Sequence, residues 1–399
     1  MKFHSSKDFI RDKKVLFFLF GTLLFMINVS SSYSVVPVFL INQNFTLVQV
    51  GISSSLYSFA AIVLRILLGP LADKKGRKFS LIISASSFII SWFLIWLAPS
   101  FGLHLIARAI QAIGLALYMS TGSSVVSDVT DKKIVGSCMG IYRGFMGLGF
   151  VIGPVIGLML IKISDKFLFI GMISFALLSL FMLIFISETG VVTKVKQKIN
   201  YLNNYLELLK NHKLLRYYLL VITVTAGYGI VGTNSAIFLG TMSSVISPSV
   251  FLFLIGIMGM LASIIGGRLI DKFGIKKVII PGVILALTGF LAMALVESIG
   301  NIAIFIAIFS LGLGTHSTVL SSVTSIERDT RKELMATSFV IQECAFDGGF
   351  VIGNLVFGFL VTGIGYSYSF LIIGVILGLS YLTILVLDNI VNKKALTIN

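Results

Sequence analysis

Twelve apolar runs divide the chain, at roughly 15–41, 48–71, 79–98, 102–127, 134–161, 167–187, 214–240, 249–270, 277–296, 301–323, 334–362 and 366–388. Each reaches the ~20 residues that a helix needs to cross a hydrocarbon core ~30 Å thick. Membrane strands alternate apolar with polar residues and end near ten, so runs of this length specify helices. Charged residues are 12% of the 399 and hydrophobic residues 57%, too little polar surface to enclose a water-soluble core. The expected fold is an all-α membrane protein with twelve transmembrane helices.

The formal net charge of +15 would suggest nucleic acid in a soluble chain, but its distribution argues for a bilayer. With the amino terminus in the cytoplasm, 26 of the 31 Lys and Arg fall on the inner side, and the outer loops hold only Lys162 and Lys166. This positive-inside bias predicts a multi-pass protein of the plasma membrane with both termini cytoplasmic. The expected partners are the lipid bilayer and a small-molecule substrate, with no nucleic acid, and the chain is expected to act as a monomer. Cys138 and Cys344 both lie in apolar runs, which favours packed thiols over a disulfide or a metal site.

The second half repeats the first. Phe150-Val-Ile-Gly153 returns as Phe350-Val-Ile-Gly353, 200 residues later. The segment from Gly267 to Lys276 answers Gly69 to Lys78 at an offset of 198, and Ser321-Ser-Val323 answers Ser123-Ser-Val125 at the same offset. The pattern predicts two pseudo-symmetric six-helix bundles, 1–187 and 214–399. Residues 188–213 would be a cytoplasmic linker with an amphipathic helix placing Leu202, Leu206 and Leu209 on one side. Duplicated bundles of this kind belong to transporters, with the substrate near the midplane where the halves meet.

Five charges inside the runs are candidates: Arg65, Arg108, Arg143, Glu343 and Asp347. Each costs at least ~2.5 kcal/mol at mid-bilayer, so each is expected to face a cavity or a partner. Glu343 and Asp347 are four apart and share a helix face, and Arg143 is the repeat counterpart of Glu343. These three are expected to line a central cavity, where the carboxylates take up and release a proton in competition with substrate. The alternative is an Arg143–Glu343 salt bridge that only joins the halves. Arg65 either faces the cavity or snorkels to the inner surface. His316 either titrates during transport or is a packed hydrogen-bonding residue. Asn28 and Tyr33, beside Ser30 to Ser32 on the first run, and Tyr118 on the fourth, suit a helix contact or a wet cavity better than lipid. No paired-histidine metal motif, nucleophile elbow or phosphate loop is present. An enzyme, a metal site, a cofactor and ATP-driven pumping are therefore not expected; a proton gradient would supply the energy.

These residues resemble the major facilitator superfamily. Its signature between the second and third helices, G-x-x-x-D-x-x-G-R-[RK], is matched by Gly69, Asp73, Gly76, Arg77 and Lys78, and half-copied at Gly267, Asp271 and Gly274. The exporter-branch signature of the fifth helix, G-x-x-x-G-P-x-x-G-G, is matched by Gly149, Gly153, Pro154 and Gly157, with Leu158 in place of the last glycine. The fourth-helix signature R-x-x-Q-G is met by Arg108 and Gln111, with Ala112 in place of glycine. The resemblance implies a conformational latch in which Asp73 lies near the amino end of the eleventh helix and Arg77 pairs with Asp128. It also gives Arg108 a proton-relay or substrate role. The reading is a secondary active, proton-coupled exporter moving a small polar or zwitterionic organic molecule by alternating access. A metallophore, opine-type such as staphylopine or siderophore-type, is one candidate. The alternatives are a multidrug or antibiotic efflux antiporter and a solute uptake symporter.

Overall fold

The computed structural model describes residues 3–97, 100–131, 135–189, 201–242, 246–330 and 334–396. Contacts group the chain into two units, Met1–Phe45 with Leu56–Gln197, and Thr46–Ser55 with Lys198–Asn399. Unit 1 contains α1 (Ser6–Arg11), α2 (Lys13–Asn42), most of α3 (Leu47–Lys75), α4 (Arg77–Leu97), α5 (Phe101–Val129), α6 (Val135–Ile163) and α7 (Asp165–Ile184). Unit 2 contains the first turns of α3, then α8 (Tyr201–Lys210), α9 (His212–Gly240), α10 (Pro248–Phe273), α11 (Lys276–Ala294), α12 (Val296–Ile299), α13 (Asn301–Asp329) and α14 (Met335–Leu396).

Ten helices are long and apolar enough to cross a membrane by length and composition, among the described residues. Each of the twelve runs nevertheless contains a helix among the described residues. α14 carries two of them, divided at Gly365, whose φ of 78° and ψ of 175° interrupt the helix. Another lies in α10, a 26-residue helix whose counted apolar stretch is Pro248–Ser263. α7 shows the membrane signature on both faces. It buries Phe169, Met172 and Leu183 while exposing Phe167, Leu177 and Phe181, an all-round apolar helix that only lipid can cover.

Within each unit, helices meet through glycine. An added Cβ at Gly149 of α6 would stand 2.5 Å from the Leu23 carbonyl oxygen of α2, and one at Gly153 2.6 Å from that of Ile27. The Ser30 Oγ donates to the Gly149 carbonyl at 3.1 Å and the Ser31 Oγ to the Gly153 carbonyl at 2.7 Å. These hydroxyls belong to a helix contact, where the missing side chains let two backbones approach and bond. Unit 2 repeats the joint. A Cβ at Gly349 of α14 would lie 2.5 Å from the Ile222 carbonyl of α9, and one at Gly353 would strike that of Ala226.

The α4–α5 joint has a counterpart in α11–α13. A Cβ at Gly114 would meet the Ser84 carbonyl at 2.7 Å, and one at Gly314 the Gly282 carbonyl at 2.6 Å. α5 and α13 are therefore offset by 200 residues, not by the 198 read from Ser123-Ser-Val125 and Ser321-Ser-Val323. Their ends agree: Thr130 and Thr330 each donate a hydroxyl back to the carbonyl four residues earlier, at 2.7 Å. Glycine contacts and helix ends set the register, and the triplet match is local. The longer connection through α12 takes up the difference.

α8 is a helix, and its Leu208 is buried, packed with Leu214, Tyr218 and Val221. Leu206 and Leu209 are exposed; the side chain of Leu202 lies outside the described residues. At the other terminus, Phe3 bridges to Thr130, with Phe3 N–H donating to the Val129 carbonyl at 2.8 Å and Asp131 N–H to the Phe3 carbonyl at 3.1 Å. Phe9 of α1 is buried behind this bridge.

Gly153→Leu is expected to push α2 and α6 apart and cost ~1–3 kcal/mol of folding stability by overpacking, with Gly353→Leu doing the same to α9 and α14. Gly144→Leu, where a Cβ meets open space, should leave the thermal midpoint of the purified protein unchanged. Equal midpoints for Gly153→Leu and Gly144→Leu would show that the glycine face does not set the approach.

Candidate functional site

α5 begins where the Ser100 hydroxyl accepts from the Leu103 N–H at 3.4 Å. From there His104, Arg108, Gln111 and Tyr118 fall at helical spacing along one stripe, and all four are buried. Arg108 is 0% exposed. Its guanidinium lies over the Tyr57 ring of α3, with Cζ 4.1 Å from the centroid, a cation–π contact that strengthens away from water. Tyr57 in turn lies against Tyr33 of α2, ring centroids 5.1 Å apart. The Arg108 Nη1 donates to the Gln111 Oε1. Among the described residues, the Arg108 Nε and Nη2 and the Gln111 Nε2 are buried with no hydrogen-bond partner, and Arg108 forms no ion pair.

Other sequence-selected residues of unit 1 are already engaged. The Asn28 Oδ1 accepts from the Trp92 indole N–H at 2.9 Å, and its Nδ2 donates to the Leu24 carbonyl at 3.1 Å. The Tyr118 hydroxyl donates to Thr22 Oγ1 at 2.8 Å, and its ring stacks on Phe25 at 3.9 Å. Both polar groups therefore serve the packing of α2 against α4 and α5. Arg65 is buried at 3% exposure. Arg143 is exposed, on a face of α6 where Gly140, Gly144 and Gly147 leave open space. Pro154 sits inside α6, and Gly157 packs on Val35 and Ser31.

In unit 2, Glu343 is half-buried and Asp347, one turn further along α14, is 4% exposed. His316 of α13 packs edge-on to Tyr228 at 5.2 Å, and its Nδ1 lies 3.1 Å from the Gly312 carbonyl. A carbonyl only accepts, so this bond places a proton on Nδ1. The ring also occupies the space a side chain at Gly259 would need.

The turn from α3 to α4 carries the second constellation. Gly76 has φ +102°, a left-handed conformation that suits glycine. The Arg77 Nε pairs with the Asp128 Oδ2 at 3.2 Å. The carboxylate of Glu188 sits where a Gly76 Cβ would be, accepting from the Arg77 N–H at 2.6 Å and the Lys78 N–H at 3.2 Å. An anion over the first N–H groups of α4 satisfies unpaired donors and opposes the helix dipole favourably. The surroundings of Gly69 and the side chains of Asp73 and Asp271 lie outside the described residues.

Sequence reasoning did not select His104, Tyr57 or Glu188. The spacing of His104, Arg108 and Gln111 on one helix face was available as a signal. Tyr57 reaches its partner from α3 and Glu188 from the segment that follows α7, and no local pattern marks them.

A family model described as Major Facilitator Superfamily matches residues 18–342 and 250–397. Among curated relatives, a class H tetracycline resistance protein of Pasteurella multocida is 30% identical over 185 residues, 45% of either chain. This chain thus spans under half of that relative's length. A homologue of the multi-drug resistance efflux pump PmrA from Lactococcus lactis is 26% identical over 340 residues, 81% of this chain and 80% of that one. Among solved structures, the nucleoside transporter NupG superposes with a TM-score of 0.77 at 18% identity, over 94% of this chain and 98% of its own. A D-xylose-proton symporter gives 0.76 at 18% identity, over 92% and 96%. At such identity these two establish the fold alone.

Glu188→Ala is expected to cost ~1 kcal/mol, the usual worth of a helix cap, and to speed amide hydrogen exchange at Arg77 and Lys78 about fivefold. Unchanged exchange at both amides would remove Glu188 from the cap.

Proposed function

We propose, because the chain belongs to the major facilitator superfamily, that it is a proton-coupled secondary exporter of a small polar or zwitterionic organic molecule. The chain is a multi-pass membrane transporter and not an enzyme. The observation that carries the proposal is Arg108, a fully buried cation with open donors inside a membrane-spanning helix. Charge at such a position is expensive and is retained for solute or proton work. Export is supported by the names of relatives that confer tetracycline resistance or pump several drugs and by the glycine-proline pattern of α6.

Unit 1 contributes cations, Arg108 and Arg143; unit 2 contributes the carboxylates Glu343 and Asp347. A ligand carrying both a carboxylate and an amine complements charges of both signs, and a metallophore is one such ligand. Asp347 and Glu343 are assigned the proton. The Arg77–Asp128 pair is assigned the latch, with Glu188 fixing the turn that carries Arg77. The positive-inside bias supports a plasma-membrane location with both termini cytoplasmic, and the chain is taken to work as a monomer. A second reading, efflux of drugs such as tetracycline, is favoured by the relatives' names.

Everted membrane vesicles test direction and coupling together. With an acidic lumen, radiolabelled tetracycline is expected to accumulate inside vesicles containing the protein, and a protonophore should abolish the accumulation. Asp347→Asn is expected to lower gradient-driven accumulation at least ~tenfold, a loss of ~1.4 kcal/mol in driving interaction. Accumulation that requires an alkaline lumen would replace export with uptake.

A further inference from the structure

We infer that the open edge of the Arg108 guanidinium receives the carboxylate of an aromatic acid, an inference that rests on the transport reading above and narrows its substrate class. The guanidinium has three surfaces. One flat face is covered by Tyr57 at 4.1 Å. The Nη1 is held by Gln111. The remaining edge carries Nε and Nη2, and both are buried and unpartnered. Those two N–H groups project side by side, and their spacing matches the two oxygens of a carboxylate in a bidentate pair.

Gln111 adds a third donor. Its oxygen must face Arg108, because a guanidinium has no acceptor, and this leaves the amide nitrogen buried and unpartnered. The open polar atoms of Arg108 and Gln111 are therefore all donors. A cation would be repelled, and a neutral amide or hydroxyl would satisfy one donor while leaving the charge unopposed. A buried charge without a counterion is the costly state, and supplying an anion relieves it. Arg108 forms no ion pair among the described residues, so the anion is expected from the ligand.

The neighbours determine what carries the carboxylate. Tyr57 lies under the guanidinium, Tyr33 is 5.1 Å from Tyr57, and Phe150 is 6.5 Å from Tyr33, all measured between ring centroids. A row of aromatic rings beside a carboxylate receptor suits a flat ring, which gains offset or edge contacts there.

The test uses the full-length chain in lipid nanodiscs at fixed chloride, with radiolabelled benzoate as the probe and with benzamide, benzylamine and acetate as competitors. Saturable benzoate binding is expected. Benzamide and benzylamine should not displace it, and acetate should need at least ~tenfold more, since it lacks the ring's contribution of ~1 kcal/mol or more. Arg108→Gln should abolish saturable binding. Gln111→Leu should raise the benzoate Kd about tenfold, the worth of one charged hydrogen bond, and decides the matter if Arg108→Gln does not fold. Absence of benzoate binding, displacement by benzamide as strong as by benzoate, acetate as effective as benzoate, or an unchanged Kd in Gln111→Leu would each overturn the inference. Binding needs no proton gradient. Benzoate binding with flux in the wrong direction would sink only the export reading, and correct flux without benzoate binding would sink only this one.

Discussion

Close backbone contact through glycine is the interaction on which the rest of this structure depends. In lipid, apolar side chains gain nothing by leaving the solvent, so helices associate through tight packing and hydrogen bonds. Gly149 and Gly153 against α2, and Gly349 and Gly353 against α9, supply that packing at carbonyl distance. The Ser30 and Ser31 hydroxyls bond across the first joint. Because backbone and small hydroxyls do this work, large side chains on other faces are free to be polar.

Arg108 uses that freedom. The α2–α6 and α4–α5 joints need no charge, yet α5 buries a guanidinium among Tyr57, Tyr33 and Gln111. Its partners are a ring face and one amide oxygen, and they leave an edge of donors unmet. Asn28 and Tyr118, which looked equally polar in the sequence, have every named polar contact within the protein. The difference between a packing group and a binding group lies in this accounting of partners.

The α3–α4 turn shows the same economy. Gly76 adopts a conformation that would strain another residue, and the space left by its missing side chain admits the Glu188 carboxylate. One anion then orders the start of α4 and so the position of Arg77, which reaches Asp128 at 3.2 Å.

The amino-acid sequence by itself determined that this chain is a duplicated set of membrane helices, because the hydrophobic length needed to cross a bilayer is a one-dimensional property. It also marked Gly149, Gly153, Gly353, Arg77, Asp128 and Arg108, since a recurring spacing or a charge within an apolar run is visible without coordinates. Only the tertiary structure decided the register between α5 and α13, the burial of Arg65, and the engagement of Asn28 and Tyr118. It alone brought Tyr57, from another helix, and Glu188, from the segment after α7, to their partners. The reason is physical: whether a polar atom is satisfied depends on what other helices bring to it, and the partner of Glu188, 111 residues away in the chain, leaves no local trace in its spacing.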